Sequence, residues 1–273
     1  MAIITFWNDG KVETGQSMTL AAIATTLAIN YNYKILMINT KHNDKALENA
    51  FEPRNSINAM FTKGKTDLDT GLSGVAKAII SNKTSPEIIT NYTKIIFKNL
   101  ELLTDINISN EDFPRYIGYI KEIIKLANRY YDIVLVDLEG KIEDQNVKQI
   151  LQMSNVNIIT LVQNINVIDT FIEESNKNNI LKYDNALISI GKYDEKSKYT
   201  VRNVAKYMKR KKVYKVPYNT AFSMDAPEGK VADFFVKFKR INSSHINFEF
   251  VNSVNEETEN IIETIKEQQR KIY

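Results

Sequence analysis

The chain has 273 residues, with 36 Lys or Arg against 33 Asp or Glu, for a formal charge of +3. That balance does not announce a nucleic-acid binder, and a chain this long can bury a large core without staples. With no cysteine and only two histidines, disulfides and thiolate metal sites are excluded, an all-protein zinc site or a His-based triad has little material, and a reducing, cytoplasmic setting is the expectation. The opening MAIITFW has no basic leader, and no run of about 18 apolar residues appears, so neither a signal peptide nor stable membrane insertion is expected.

In chain order, the apolar runs at 2–7, 33–39, 100–104, 131–138, 156–162, 186–190 and 212–218 predict strands. Several are apolar without alternation, the pattern of parallel strands covered on both faces. Between them lie helix candidates. Residues 17–30 are apolar on nearly all sides, which predicts a buried first helix. In 111–130, Phe113, Ile117, Ile120, Ile124 and Ala127 recur three or four apart, a stripe that packs on a sheet. Strands alternating with helices predict an α/β fold, a mostly parallel twisted sheet of about seven strands with helices on both faces. Residues 41–92 are polar and read as an excursion over the sheet edge. Residues 242–253 read as a loop or added strand before a charged helix at 254–270, so the expected division is a domain over 1–241 and a C-terminal extension over 242–273.

The chemistry is concentrated after the first strand. Gly10, Gly15 and Ser17 fit the phosphate-loop pattern G-x-x-x-x-G-K-[ST], with Gln16 in the lysine position. Such a loop wraps backbone N–H groups around phosphate oxygens, and the helix that follows adds its positive dipole end. Glycines supply the backbone angles and the close approach. Gln16 keeps amide donors but discards a full charge. Read on its own, without that lysine, the loop is equally compatible with a plain strand–turn–helix.

Lys11 follows Gly10 directly, and the run Lys11-Val12-Glu13-Thr14-Gly15-Gln16-Ser17 resembles K-G-G-x-G-K-[ST] of the ParA/MinD group of P-loop ATPases. The resemblance implies that Lys11 reaches the partner's nucleotide across a homodimer interface, that Gly10 through Met18 cradle ATP, and that Ser17 holds Mg²⁺. Val12 and Glu13 replace two glycines, and Glu13 adds a carboxylate beside a polyanion unless it points outward. NRYYDIVLVDLEG, at 128–140, resembles the strand whose terminal aspartate, here Asp137, orients Mg²⁺, with Gly140 opening the loop after it.

Other stations depart from the family pattern. Where the group has two aspartates after its second strand, this chain has Asn39 and Lys41, with Asp44 nearby; that exchange predicts slow hydrolysis or none. Gly191 and Lys192 stand where relatives carry an amide that reads the base, and main-chain groups near Pro217 are expected to face it. Order and spacing over roughly residues 2–240 resemble the CpaE/TadZ branch, which implies a localisation or assembly factor beside the motor ATPase of a Tad-type pilus or secretion system, cytoplasmic and recruited through partners to a pole or to the inner membrane face. Three alternatives stay open. One is a partition protein binding DNA non-specifically through the basic run KYMKRKKVYK at 206–215. Another is a membrane-cycling positioner anchored by the tail helix, which is crowded with glutamates, and the third is a pseudo-ATPase scaffold that binds no nucleotide.

Overall fold

In this computed structural model the described residues are 1–42, 44–52, 71–83, 85–104, 109–179 and 185–272. Of the excursion expected over 41–92, residues 43, 53–70 and 84 lie outside them. The strands are β1 (Ala2–Asn8), β2 (Ile35–Asn39), β3 (Lys94–Phe97), β4 (Leu100–Leu103), β5 (Ile133–Glu139), β6 (Val156–Leu161), β7 (Ala186–Tyr193) and β8 (Tyr214–Pro217). They form one 8-stranded sheet in the order β3-β4-β2-β5-β1-β6-β7-β8. All neighbours pair in parallel except β3 with β4. The strand missed by the sequence is β3: its apolar run, Ile95-Ile96-Phe97, is only three residues between two lysines, and none of its residues is buried because it pairs only at the sheet edge.

The α-helices among the described residues are α1 (Gln16–Asn30), α2 (Ala46–Phe51), α3 (Gly71–Ile80), α4 (Phe113–Ile117), α5 (Ile120–Asn128), α6 (Gln145–Met153), α7 (Ile165–Asn178), α8 (Val201–Tyr207), α9 (Thr220–Asp225), α10 (Val231–Phe238) and α11 (Phe248–Ile272), with short 3-10 helices at Pro86–Asn91 and Ala226–Glu228. The central strands are buried on both sides, which is why their sequences are apolar without alternation. One core, on the α3, α5 and α6 side, takes Trp7, Ile38, Ile124, Tyr131 and Val136. The other takes Ile4, Phe6, Met37 and Leu135, with α1, α10 and α11 laid over them. The stripe read over 111–130 is interrupted at Gly118-Tyr119, and α4 and α5 are two helices; glycine is a poor interior helix residue.

Residues 248–253, read as loop or strand, are the first turns of α11. Phe250, Val251, Val254, Ile261, Ile262 and Ile265 on this helix are buried against α1 and its sheet face. The apolar side of the tail helix is therefore already covered. Among the described residues no helix is long and apolar enough to cross a membrane.

Candidate nucleotide site

The site is assembled at the C-terminal ends of β1, β5 and β2, which lie side by side in the sheet, so the chain segments leaving them converge. After β1, Asn8 shapes the loop: its Oδ1 accepts from the Gly10 backbone N–H at 2.6 Å, and its Nδ2 donates to Gln16 Oε1 at 2.8 Å. Gly10 and Gly15 both have φ of +78°, a left-handed conformation that L side chains rarely adopt. Gly15 stands at the N-cap of α1, and no side chain caps that helix. The N–H groups of its first turn thus have no intrahelical acceptor, the arrangement that takes an anion.

Gln16 does not point along the loop toward a ligand. It is buried, and its Nε2 donates to Asp137 Oδ1 at 2.6 Å and to the Leu138 carbonyl at 2.9 Å. Ser17 Oγ donates to Asp137 Oδ2 at 2.6 Å. The Ser17 and Asp137 side chains, assigned to Mg²⁺ by resemblance, are therefore brought together from 120 residues apart in the chain.

Lys41 completes this cluster. Its Nζ donates to Ser17 Oγ at 2.9 Å and lies 3.2 Å from Asp137 Oδ1, with Asp44 Oδ2 at 3.8 Å and Glu139 Oε2 at 3.9 Å. The lysine side chain is only 9 % exposed and Asp137 is fully buried. Local chemistry delivers it there. The Thr40 N–H and hydroxyl both bind the Asp137 carbonyl, at 3.2 and 2.7 Å, and Asn39 Oδ1 accepts from the Lys41 N–H at 3.0 Å. That Asx turn folds the chain back over the end of β5. Asn39 and Asp44 are committed to the same turn: Asn39 Nδ2 donates to the Asp44 carbonyl, and Asp44 Oδ1 accepts from the Ala46 N–H at the start of α2.

These donors do not suit Mg²⁺. The ion needs oxygen ligands at roughly 2.0–2.1 Å in near-octahedral array, and an ammonium already stands at hydrogen-bond distance from both protein oxygens that would supply them. A dication beside that ammonium would be strongly repelled. The backbone donors of the loop, by contrast, suit a phosphate.

The rest of the loop lies at the surface. The Glu13 side chain is 87 % exposed and its Oε1 accepts from Lys192 Nζ at 2.8 Å, so its charge points away from the loop interior and is paired. Lys11, 46 % exposed, binds Glu174 Oε1 at 2.7 Å and Asp9 Oδ2 at 3.1 Å. Hydrogen bonds to these two carboxylates hold its pKa above the usual lysine value. Val12 is exposed, whereas Thr14 is buried. Gly191 presses β7 against the loop, since a Cβ there would sit 2.1 Å from the Thr14 carbonyl oxygen. Alongside runs a cleft of about 290 Å³ lined by Gly15, Met18, Lys192, Pro217, Tyr218 and Phe222, among others. Pro217 and Met18 thus share one cavity with the start of α1, on the side opposite Lys41's approach from β2. Sequence reasoning missed Asn8, for which an asparagine just ahead of the loop was the available signal; it placed Lys41 after the second strand as a reversal of charge, and nothing local marked its contact with Ser17 and Asp137.

No family model matches the sequence, and no curated protein matches it. Solved structures do resemble it. A ParA family ATPase from Chlorobium tepidum superposes with a TM-score of 0.71 at 14 % identity, covering 94 % of this chain and 98 % of that one. The septum site-determining protein MinD of Pyrococcus horikoshii, complexed with Mg-ADP, gives 0.63 at 16 % identity over 94 % and 96 %. A putative plasmid partition protein from Borrelia burgdorferi bound to AMPPNP gives 0.59 at 16 % identity over 98 % and 100 %. At these identities the likeness speaks for architecture, and the chain has the α/β fold of the ParA/MinD ATPases.

Proposed function

We propose that this chain is a localisation, assembly or partition factor in which nucleotide acts as a ligand that switches a protein surface and is turned over slowly or not at all. The observation that carries this reading is the division of the site. Uncapped N–H donors at the start of α1 adjoin a cleft of about 290 Å³, as a nucleotide requires. The positions that would direct water are otherwise employed: Asn39 has no carboxylate and is bonded into its turn, and Lys41 carries the opposite charge.

The chemistry follows from the chain's own groups. Loop N–H groups and the positive end of α1 hold the phosphates, and the cleft beside Pro217 and Met18 takes the base. Lys11 is the group available to a second copy: it is exposed, and its bonds to Glu174 and Asp9 are surface pairs of little net strength. Homodimerisation face to face would exchange those partners for a phosphate across the interface. A pilus or secretion motor of the Tad type is the partner implied by the sequence resemblance.

Calorimetric titration of ATP into the purified protein, with phosphate release followed in parallel, tests this reading. Saturable binding with negligible turnover is expected. Rapid steady-state hydrolysis would sink it, and absence of heat up to millimolar ATP would leave a scaffold without nucleotide.

A second reading, partition through non-specific DNA binding, is supported by a groove of about 510 Å³ at α8 and β8 whose lining includes Arg202, Lys206, Lys211, Lys212 and Lys215. It ranks second because Lys212 pairs with Glu256, and Lys215 with Glu195 and Glu249. If it holds, DNA retention falls with salt by roughly one log-log unit per phosphate contact; a flat response removes it.

A further inference from the structure

The cluster around Asp137 has a property that the nucleotide reading alone does not contain. Position 16 has lost the positive charge that the loop pattern calls for, yet an ammonium stands within the same cluster, brought by Lys41 from the end of β2. It contacts both side chains expected to bind a divalent ion, Ser17 Oγ at 2.9 Å and Asp137 Oδ1 at 3.2 Å. We propose that Lys41 is a built-in cation standing in for Mg²⁺, so that ATP or ADP engages this loop without a divalent metal. The proposal rests on the nucleotide reading and adds to it how the charge of the phosphates is met.

Three features carry it. First, the position is built: Thr40 ties the turn to the carbonyl of Asp137 itself and Asn39 Oδ1 holds the Lys41 N–H, so Lys41 is anchored next to the residue whose carboxylate it neutralises. Second, the hydrogen bonding leaves little for a metal to gain. Asp137 Oδ1 accepts from Gln16 and Oδ2 from Ser17, while Ser17 Oγ in turn accepts from Lys41. Third, a lysine is a compact charge with three donors. With Ser17 and Asp137 engaged, one N–H remains, facing Asp44 and Glu139 only at 3.8 and 3.9 Å, and an anion at the start of α1, where a metal would otherwise bridge protein and phosphate, would compete with those longer pairs for it. Gln16 fits this scheme, since a second ammonium at position 16 would crowd the first, whereas a neutral amide bridges Asn8 to Asp137.

Titrations of ATP in excess EDTA and in excess Mg²⁺, on the wild type and on Lys41→Met, decide the matter; the methionine keeps the length of the stem and removes the charge. Melting curves check that the variant folds, and Lys41→Gln replaces it if it does not. Wild-type affinity is expected to change less than about twofold between the two buffers, while the variant should bind about tenfold or more tightly with Mg²⁺ than without. A wild type that needs Mg²⁺ would overturn the role of Lys41 and leave nucleotide binding standing. A variant equally indifferent to Mg²⁺ would overturn it as well. Wild-type protein that binds ATP in neither buffer would remove the nucleotide reading and this proposal together.

Discussion

Asp137 and Glu257 are both wholly buried carboxyl groups, and the chain neutralises them by different means. At the end of β5, Asp137 is met by the Lys41 ammonium, the Gln16 amide and the Ser17 hydroxyl, so both oxygens are occupied. On α11, Glu257 receives one hydrogen bond, from Ser189 Oγ at 2.9 Å, and its second oxygen has no partner among the described residues. Burial pushes its pKa up to about 8, against the one bond that lowers it. One site imports a counter-charge from another strand; the other keeps its proton. The difference teaches where charge has a use: it is retained at the strand ends that carry the loop and α1, and dispensed with where a helix merely packs on the sheet.

Lys41→Met is the most severe way to break this comparison. It leaves Asp137 buried without its cation, a loss on the order of 3 kcal/mol for a buried pair, read from urea or thermal unfolding. Added Mg²⁺ should recover part of that loss in the variant and do little for the wild type.

Glu257 gives the second effect. Its folded pKa, about 8, lies above the unfolded value near 4.5, so in that window the folded state binds the extra proton. Stability then declines as pH rises from 4.5 to about 8, by on the order of 1 kcal/mol per pH unit at most, and is flat above it. Glu48, raised to about 7 by burial, adds a decline of the same sign that ends about one unit lower. Glu257→Gln should flatten the upper part of the profile; an unchanged slope between pH 7 and 8 would show that the carboxyl is not protonated in the fold.

Gly191→Ala sharpens the picture of how the loop is held. Its Cβ would lie 2.1 Å from the Thr14 carbonyl oxygen, so β7 or the loop must shift, at a cost of about 1–3 kcal/mol. ATP affinity should fall with it, and a variant with wild-type stability and binding would contradict the close approach. Lys11→Ala has the smallest expected effect on stability, below about 0.5 kcal/mol, because its pairs are exposed. Its consequence is expected in solution mass instead: nucleotide-linked dimerisation, followed by light scattering, should disappear.

Much of the fold was legible because its signals are short-ranged. Unalternating runs such as IVLVDL mark strands covered on both faces, and the spacing of Gly10, Gly15 and Ser17 marks a loop entering a buried helix. The edge strand β3 was not legible, since its apolar run is only Ile95-Ile96-Phe97, set between lysines and left unburied by pairing on one side. Nor was the interior position of Glu257: in a helix rich in glutamates, only the packing of α11 against β8 and β6, with Ser189 of β7 beneath it, distinguishes the buried one from its exposed neighbours.

The sequence by itself determined the α/β class, the first helix, and which side chains flank the candidate phosphate loop, because strand periods, helix stripes and glycine conformations are set within a few residues. Tertiary structure alone decided that Lys41 meets Ser17, 24 residues away, that Ser17 meets Asp137 across 120, and that Ser189 meets Glu257 across 68. The first two contacts depend on strand order, which puts β2 and β1 on either side of β5 and thereby sets a lysine where the local pattern suggested a metal, and the third on the docking of α11 over the sheet.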